Sequence, residues 1–333
     1  MDPLRAEVLR GHPATAALEK LSAASQALAA SPRVAVLVPC YNEAFTVAGV
    51  VKAFQAELPS ATVYVYDNNS TDDTAAQARA AGALVRKEPL QGKGNVIRRM
   101  FADIDADVYV LVDGDGTYDA PSALAMIDKL LDEDLDMVNA ARDASEDASY
   151  RRGHRFGNKL LTGIVSYIFG NRLTDMLSGY RVFSRRFAKS FPGLSHGFEI
   201  ETELTVHALE LRLPIAEVRA PYGSRPPGSM SKLGTIRDGI RVLWTILVLI
   251  KEERPLPFFS LIAASLALAS IVVTVPIFIT FMETGLVPRV PTAVLATGMM
   301  VLGFLSLACG LILDTVTRGR RELKRLHYLS LPK

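Results

Sequence analysis

The chain has 333 residues, 49% of them apolar, and a formal net charge of +2. That length accommodates one large domain or two smaller ones, and so small a net charge gives no global field that would draw the chain to nucleic acid. Mean hydropathy is +0.21, high for a water-soluble chain, and the excess is local. The two cysteines, Cys40 and Cys309, fall in a polar half and an apolar run, which argues against a disulfide and fits a reducing compartment.

Residues 3–30 are rich in Ala and Leu, with Leu18, Leu21, Ser25 and Leu28 at near-helical spacing. They predict a peripheral helix within 1–32, and no apolar run of signal-peptide type precedes it. Strand and helix patterns then alternate. Val34–Val38 reads as a buried strand, Thr46–Glu57 as a helix, Thr62–Tyr66 as a strand and Thr71–Ala81 as a helix. Ala83–Arg86 is a short strand, Asn95–Ile104 a helix and Val108–Val112 a strand. Short apolar strands between helices of about ten residues predict a parallel α/β sheet covered on both faces. Ligands on such sheets bind beyond the carboxyl ends of the strands. The polar clusters sit there: Pro39-Cys-Tyr-Asn-Glu43, Asp67-Asn-Asn-Ser-Thr-Asp72 and Asp113-Gly-Asp115.

Helix Ser122–Asp132 and strand Asp136–Ala140 follow, then a basic segment with Arg142, Arg151, Arg152, His154, Arg155 and Lys159. An apolar stretch, Leu160–Phe169, comes next. From Thr235 to Ile250, apolar residues alternate with Arg237 and Arg241 around Trp244, the profile of an interfacial helix within 234–255. Leu256–Met282 and Val290–Leu313 contain no charged side chain. Each, as a helix, exceeds the roughly 30 Å of bilayer hydrocarbon, so 256–314 reads as two transmembrane helices. The tail 315–333 carries Arg318, Arg320, Arg321, Lys324, Arg325 and Lys333. By the positive-inside rule it is cytoplasmic, and two spans return residues 1–255 to the same side. The expected location is the inner (cytoplasmic) membrane, multi-pass, with a cytoplasmic catalytic domain.

Asp113 and Asp115, leaving a Val-rich strand, supply hard oxygen ligands suited to Mg²⁺ or Mn²⁺. Asp67, first residue off its strand, is free to accept from a nucleobase or ribose, while Ser70 or Thr71 caps the next helix. Gln91-Gly-Lys-Gly-Asn95 lacks the Walker spacing, and no dinucleotide fingerprint follows a strand. Lys93 at a helix start still places a cation beside a pyrophosphate. A basic cluster followed by an apolar segment suits an amphiphile with a phosphate head and a lipid tail. The loop Arg225-Pro-Pro-Gly-Ser-Met-Ser-Lys232 reads either as a linker or as a lid that closes over phosphates through Arg225, Ser229 and Lys232.

Together these residues resemble family 2 glycosyltransferases with the GT-A nucleotide-sugar-binding fold, and more narrowly the polyprenyl-phosphate glycosyltransferases: dolichol-phosphate mannose synthases and bactoprenol glucosyltransferases. The resemblance spans about Val34–Leu233, so it implies a catalytic GT-A domain at 33–233. It implies donor contacts by Pro39, Tyr41, Asn42, Glu43, Asp67, Asn69, Lys93, Gly94, Asp113, Gly114 and Arg225. It implies a metal on Asp113 and Asp115, and acceptor-phosphate contacts by Arg142, Arg151, Arg155, Asn158, Ser178 and Arg181, with Arg155, Arg181 and Lys232 at the reacting groups. Phe198-Glu-Ile-Glu-Thr-Glu203 also looks like a family segment near the active site. Some relatives carry Gln two residues after the second metal Asp; here that residue is Thr117.

The expected activity is inverting transfer of a hexose from a nucleotide diphosphate sugar to polyprenyl phosphate, with UDP-glucose or a UDP-uronic acid as donor. GDP-mannose as donor, a non-lipid acceptor, or a non-catalytic accessory to a flippase are the alternatives. The lipid bilayer, a second copy of the chain and a downstream flippase are the expected partners, with no nucleic acid.

Overall fold

The computed structural model describes residues 32–143, 163, 173–195, 197, 199–223, 244, 247–248 and 250–332. Among them, seven strands form one sheet in the order β3-β2-β1-β4-β6-β5-β7. The strands are β1 (Val34–Cys40), β2 (Thr62–Asp67), β3 (Leu84–Lys87), β4 (Val108–Leu111), β5 (Met137–Asp143), β6 (Arg181–Ser184) and β7 (Ile215–Pro221). The helices of this part are α1 (Val47–Glu57), α2 (Thr74–Ala80), α3 (Lys93–Asp103), α4 (Ser122–Asp132), α5 (Arg185–Ser190) and α6 (Ile200–Glu210).

Successive side chains of a strand point to opposite faces, and β1 divides accordingly. Val36 and Val38 pack with Val47, Val51 and Phe54 of α1 and Met126 and Leu130 of α4. Ala35 and Leu37 pack with Ile97 and Met100 of α3, Phe187 of α5 and Leu204 of α6. Both faces are covered, as expected, but the sheet is mixed rather than parallel. β6 pairs antiparallel with β4 (Leu111↔Arg181, Val108↔Ser184) and with β5. The physical consequence is that the loop entering β6 lies at the carboxyl edge of β4, where the acidic cluster emerges.

Two long apolar helices follow, α7 (Pro255–Thr284) and α8 (Val290–Ser330), joined through a left-handed residue at Gly285. Only 6% and 17% of their most apolar windows are buried, so they are not core helices of a soluble domain; length and composition fit a transmembrane hairpin. The two helices meet closely: a Cβ on Gly310 would lie 2.9 Å from Phe259 Cβ, and Ser270 donates to the Ala296 carbonyl at 2.7 Å.

At about 1.5 Å per residue, α8 is roughly twice as long as the hydrocarbon core is thick. Its basic end packs on the α/β domain. Tyr328 is buried and donates to Asp136 at 2.7 Å, Lys324 pairs with Glu210 at 2.7 Å, and Arg325 donates to the Leu211 carbonyl at 2.7 Å. The peripheral helix expected within 1–32 lies outside the described residues, as does most of the interfacial helix expected within 234–255.

Candidate active site

β1 lies between β2 and β4 and parallel to both, with Cys40 beside Asp67 and Leu37 beside Leu111. This register delivers three polar strand ends to one edge. The first two are zipped together. The Asn42 N–H donates to Ser70 Oγ at 2.9 Å, Asn42 Oδ1 accepts from the Thr71 N–H at 2.8 Å, and the Glu43 N–H donates to Thr74 Oγ1 at 2.8 Å. Ser70 and Thr71 therefore bind the neighbouring loop, whereas α2 begins at Thr74 after Asp73, with Asp72 Oδ1 accepting from the Thr74 N–H. The expected cap is corrected to that extent: the hydroxyls serve the loop and not the helix end.

Asp67 is buried, and its Oδ1 accepts from the Ser70 N–H at 3.3 Å. Tyr41 stays exposed, Pro39 is half-buried, and Glu43 and Gly94 are buried. Asn69 turns its amide to the Pro89 carbonyl and Gln91, so it ties down a loop. Its neighbour Asn68 was not singled out in the sequence. Asn68 donates to the Glu88 and Leu90 carbonyls and accepts from the Gly92 N–H at 2.7 Å. That amide fixes the turn from which Lys93 starts α3.

The acidic pair leaves β4 through Gly114, where a Cβ would meet Cys40 Sγ at 2.6 Å. Only a glycine fits so close to β1. Asp115 is buried, and its Oδ1 accepts from Thr117 Oγ1 at 2.6 Å and from the Thr117 N–H at 3.2 Å. Thr117 thus orients the second carboxylate. Two carboxylates on one turn are hard oxygen donors of the kind Mg²⁺ or Mn²⁺ takes, although the described residues contain no cluster of three His, Cys, Asp or Glu that could hold a metal ion.

Lys93 Nζ is 2.5 Å from Asp113 Oδ1 and 2.5 Å from Glu201 Oε1. Burial pushes the Asp113 carboxyl up to about 6, with Asp115 and Glu201 adding repulsion and Lys93 opposing it. Burial alone would lower the Lys93 ammonium, but Asp113 and Glu201 outweigh it and its pKa is raised. One ammonium among three carboxylates leaves the cluster with an excess of negative charge, which favours a bound cation.

The loop before β6 closes over the acidic pair. A Cβ on Gly179 would overlap the Asp113 carboxylate, and the Gly179 N–H donates to Tyr118 Oη at 2.9 Å. Residues Ser178 and Arg181, expected at the acceptor phosphate, are instead fully buried. Arg181 donates to the Met176 carbonyl at 2.5 Å, the Ser178 carbonyl at 3.0 Å and Thr205 Oγ1 at 2.8 Å. Ser178 Oγ accepts from the Tyr180 N–H at 3.3 Å. This arginine builds the loop, because three inward acceptors satisfy its guanidinium.

Arg142 is likewise paired, bidentate to Asp175 at 2.6 and 2.9 Å, with its guanidinium over the Tyr222 ring. Asp175 and Glu217, which accepts from Thr174, Asp175 and Asn139, went unrecognised because nothing in their local sequence marks them. Arg151, Arg155, Asn158, Arg225 and Lys232 lie outside the described residues.

Comparison with known proteins bears on the family and the fold. Residues 35–191 match the model of glycosyl transferase family 2. Glycosyltransferase AglJ of Haloferax volcanii is 37% identical over 228 residues, 68% of this chain and 75% of that protein. The dolichyl-phosphate hexose transferase of the same organism is 26% identical over 220 residues, 66% of this chain and 95% of that protein. Among solved structures, glucosyl-3-phosphoglycerate synthase from Mycobacterium tuberculosis, in complex with Mn²⁺, UDP-glucose and phosphoglyceric acid, superposes with a TM-score of 0.54. It is 24% identical, over 66% of this chain and 80% of that one, and establishes the shared GT-A-like fold. The chain belongs to glycosyl transferase family 2.

Proposed function

We propose that this glycosyltransferase moves a hexose from a nucleotide diphosphate sugar to polyprenyl phosphate at the cytoplasmic face of a membrane, with inversion at the anomeric carbon. The observation that carries the reading is the acidic turn Asp113-Gly114-Asp115, backed by Gly179, on a domain anchored by α8 to the apolar hairpin. Similarity to a dolichyl-phosphate hexose transferase supports a lipid phosphate as acceptor. The basic residues of α8 beyond Leu313 support the cytoplasmic side.

Asp113 and Asp115 would hold Mg²⁺ or Mn²⁺, which when bound neutralises charge on the departing diphosphate. Asp67 and the zipped loops after β1 and β2 receive the nucleoside. Thr117 keeps the Asp115 carboxylate turned into the site, and Gly179 leaves the Asp113 carboxylate room. A phosphate monoester, with a second pKa of about 6, is largely ionised at neutral pH and attacks without a strong general base. Catalysis then rests on alignment and charge stabilisation. Arg151, Arg155, Asn158, Arg225 and Lys232 are the proposed phosphate contacts, with Arg225 and Lys232 acting as a lid. A single in-line displacement inverts the centre.

The test is a panel of radiolabelled UDP- and GDP-sugars incubated with the full chain, Mn²⁺ and polyprenyl phosphate in vesicles. Label entering the organic phase with one donor supports the reading. Label moving only to water-soluble acceptors refutes the lipid acceptor. The fold neighbour holds Mn²⁺ and UDP-glucose, which makes that pair the first to screen.

A further inference from the structure

Glu201 opens α6, and none of the steps above uses it. Its side chain is 6% exposed and that of Lys93 9%, whereas Asp113 is 28% exposed. The Lys93 ammonium is therefore shared between one enclosed carboxylate and one that is partly exposed. Among the described residues Glu201 Oε2 is buried with no hydrogen-bond partner, so Glu201 holds acceptor capacity it does not use in this arrangement. An ammonium and a divalent cation on the same Asp113 carboxylate repel each other at close range. Occupation of Asp113 by a cation thus requires Lys93 to shift its hydrogen bonds elsewhere, and Glu201, already 2.5 Å away, offers the free oxygen.

We propose that Glu201 is a positioning residue that draws Lys93 off Asp113 when a divalent cation binds, and so sets the affinity of the cation site. This rests on the reading of Asp113 and Asp115 as the metal-holding pair. Glu201 touches neither sugar nor phosphate in this role; it acts through Lys93. No bond is made or broken, and the ammonium keeps its proton throughout.

The experiment is titration of the full chain in detergent micelles with Mn²⁺ alone, following free Mn²⁺ by electron paramagnetic resonance. Glu201→Gln should weaken Mn²⁺ binding about tenfold, the size of coupling between contacting charged groups. Lys93→Gln should tighten it, because the competing ammonium is gone. In the Lys93→Gln background, Glu201→Gln should have no further effect. A Glu201→Gln chain that binds Mn²⁺ like the wild type overturns the proposal, as does equal weakening with and without Lys93. Should Glu201→Gln fail to fold, Lys93→Gln decides alone: tightened binding supports the proposal and unchanged or weaker binding overturns it. A wild-type chain that binds no Mn²⁺, alone or with UDP, instead defeats the metal assignment on which the proposal stands.

Discussion

Lys324 Nζ lies 2.7 Å from the fully buried carboxylate of Glu210, and this contact joins the helix that leaves the apolar hairpin to the helix that carries Glu201. Arg321 approaches the same carboxylate at 3.6 Å and Glu253 at 3.2 Å. Removing one member of a buried pair leaves an uncompensated charge, costing about 3–5 kcal/mol. Lys324 is partly exposed and Arg321 stays nearby, so Lys324→Met should cost about 1–3 kcal/mol. Thermal unfolding of the full chain checks this, and the double variant Glu210→Gln/Lys324→Met should recover part of the loss. Limited proteolysis should cut the single variant faster beyond Asp314.

Gly179 has no room for a side chain against Asp113. Gly179→Ala should leave the circular dichroism spectrum unchanged and reduce transfer on the order of a hundredfold, the usual consequence of displacing a reacting group by about 1 Å. Rates measured on a folded, membrane-inserted variant check it; wild-type activity would show that the loop stands away from the acidic pair.

Thr117 holds Asp115 through its hydroxyl. Thr117→Val removes that bond while keeping the shape of the side chain, and should weaken Mn²⁺ binding by about 10–100-fold, the range for supports of metal ligands. Thr117→Ser should retain wild-type binding. Isothermal titration with Mn²⁺ and UDP distinguishes the two.

His207 is buried between Phe187 and Phe191, with Ser190 Oγ 3.2 Å from Nε2. Burial, with Lys324 adding repulsion, pulls its pKa down to about 3. The unfolded chain takes up a proton at about pH 6.5 and the folded chain does not. The His207 contribution to stability is therefore level above about pH 6.5 and falls as the pH drops from there toward 3, by at most about 1.4 kcal/mol per unit. His207→Phe should flatten that acid limb in thermal melts at pH 4 to 7; an unchanged slope would mean that His207 is protonated in the folded chain.

The sheet edge that carries the acidic pair was legible because β1, β2 and β4 are short apolar runs that break into polar clusters, and α4 appears over the residues its pattern marks, Ser122–Asp132. What was not legible depends on pairing over long separations. The antiparallel β6 brings Gly179 to Asp113 across 66 residues, and no local pattern announces it. Arg181 in a Ser-Gly-Tyr-Arg motif reads as a phosphate ligand, yet its hydrogen bonds run inward to Met176, Ser178 and Thr205. The basic run after Asp314 carries a topological signal in sequence; its acidic counterparts, Glu210 and Glu253, lie 108 and 65 residues before Arg318, too far for charge patterning to connect them.

The most direct measurement of the central claim compares the wild-type chain with Asp115→Asn in single-turnover transfer of labelled sugar to polyprenyl phosphate in vesicles, with and without Mn²⁺. Label should reach the organic phase only with the wild-type chain and only with the divalent cation, while Asp115→Asn remains inserted, folded and inactive. Transfer by Asp115→Asn at the wild-type rate would contradict the account.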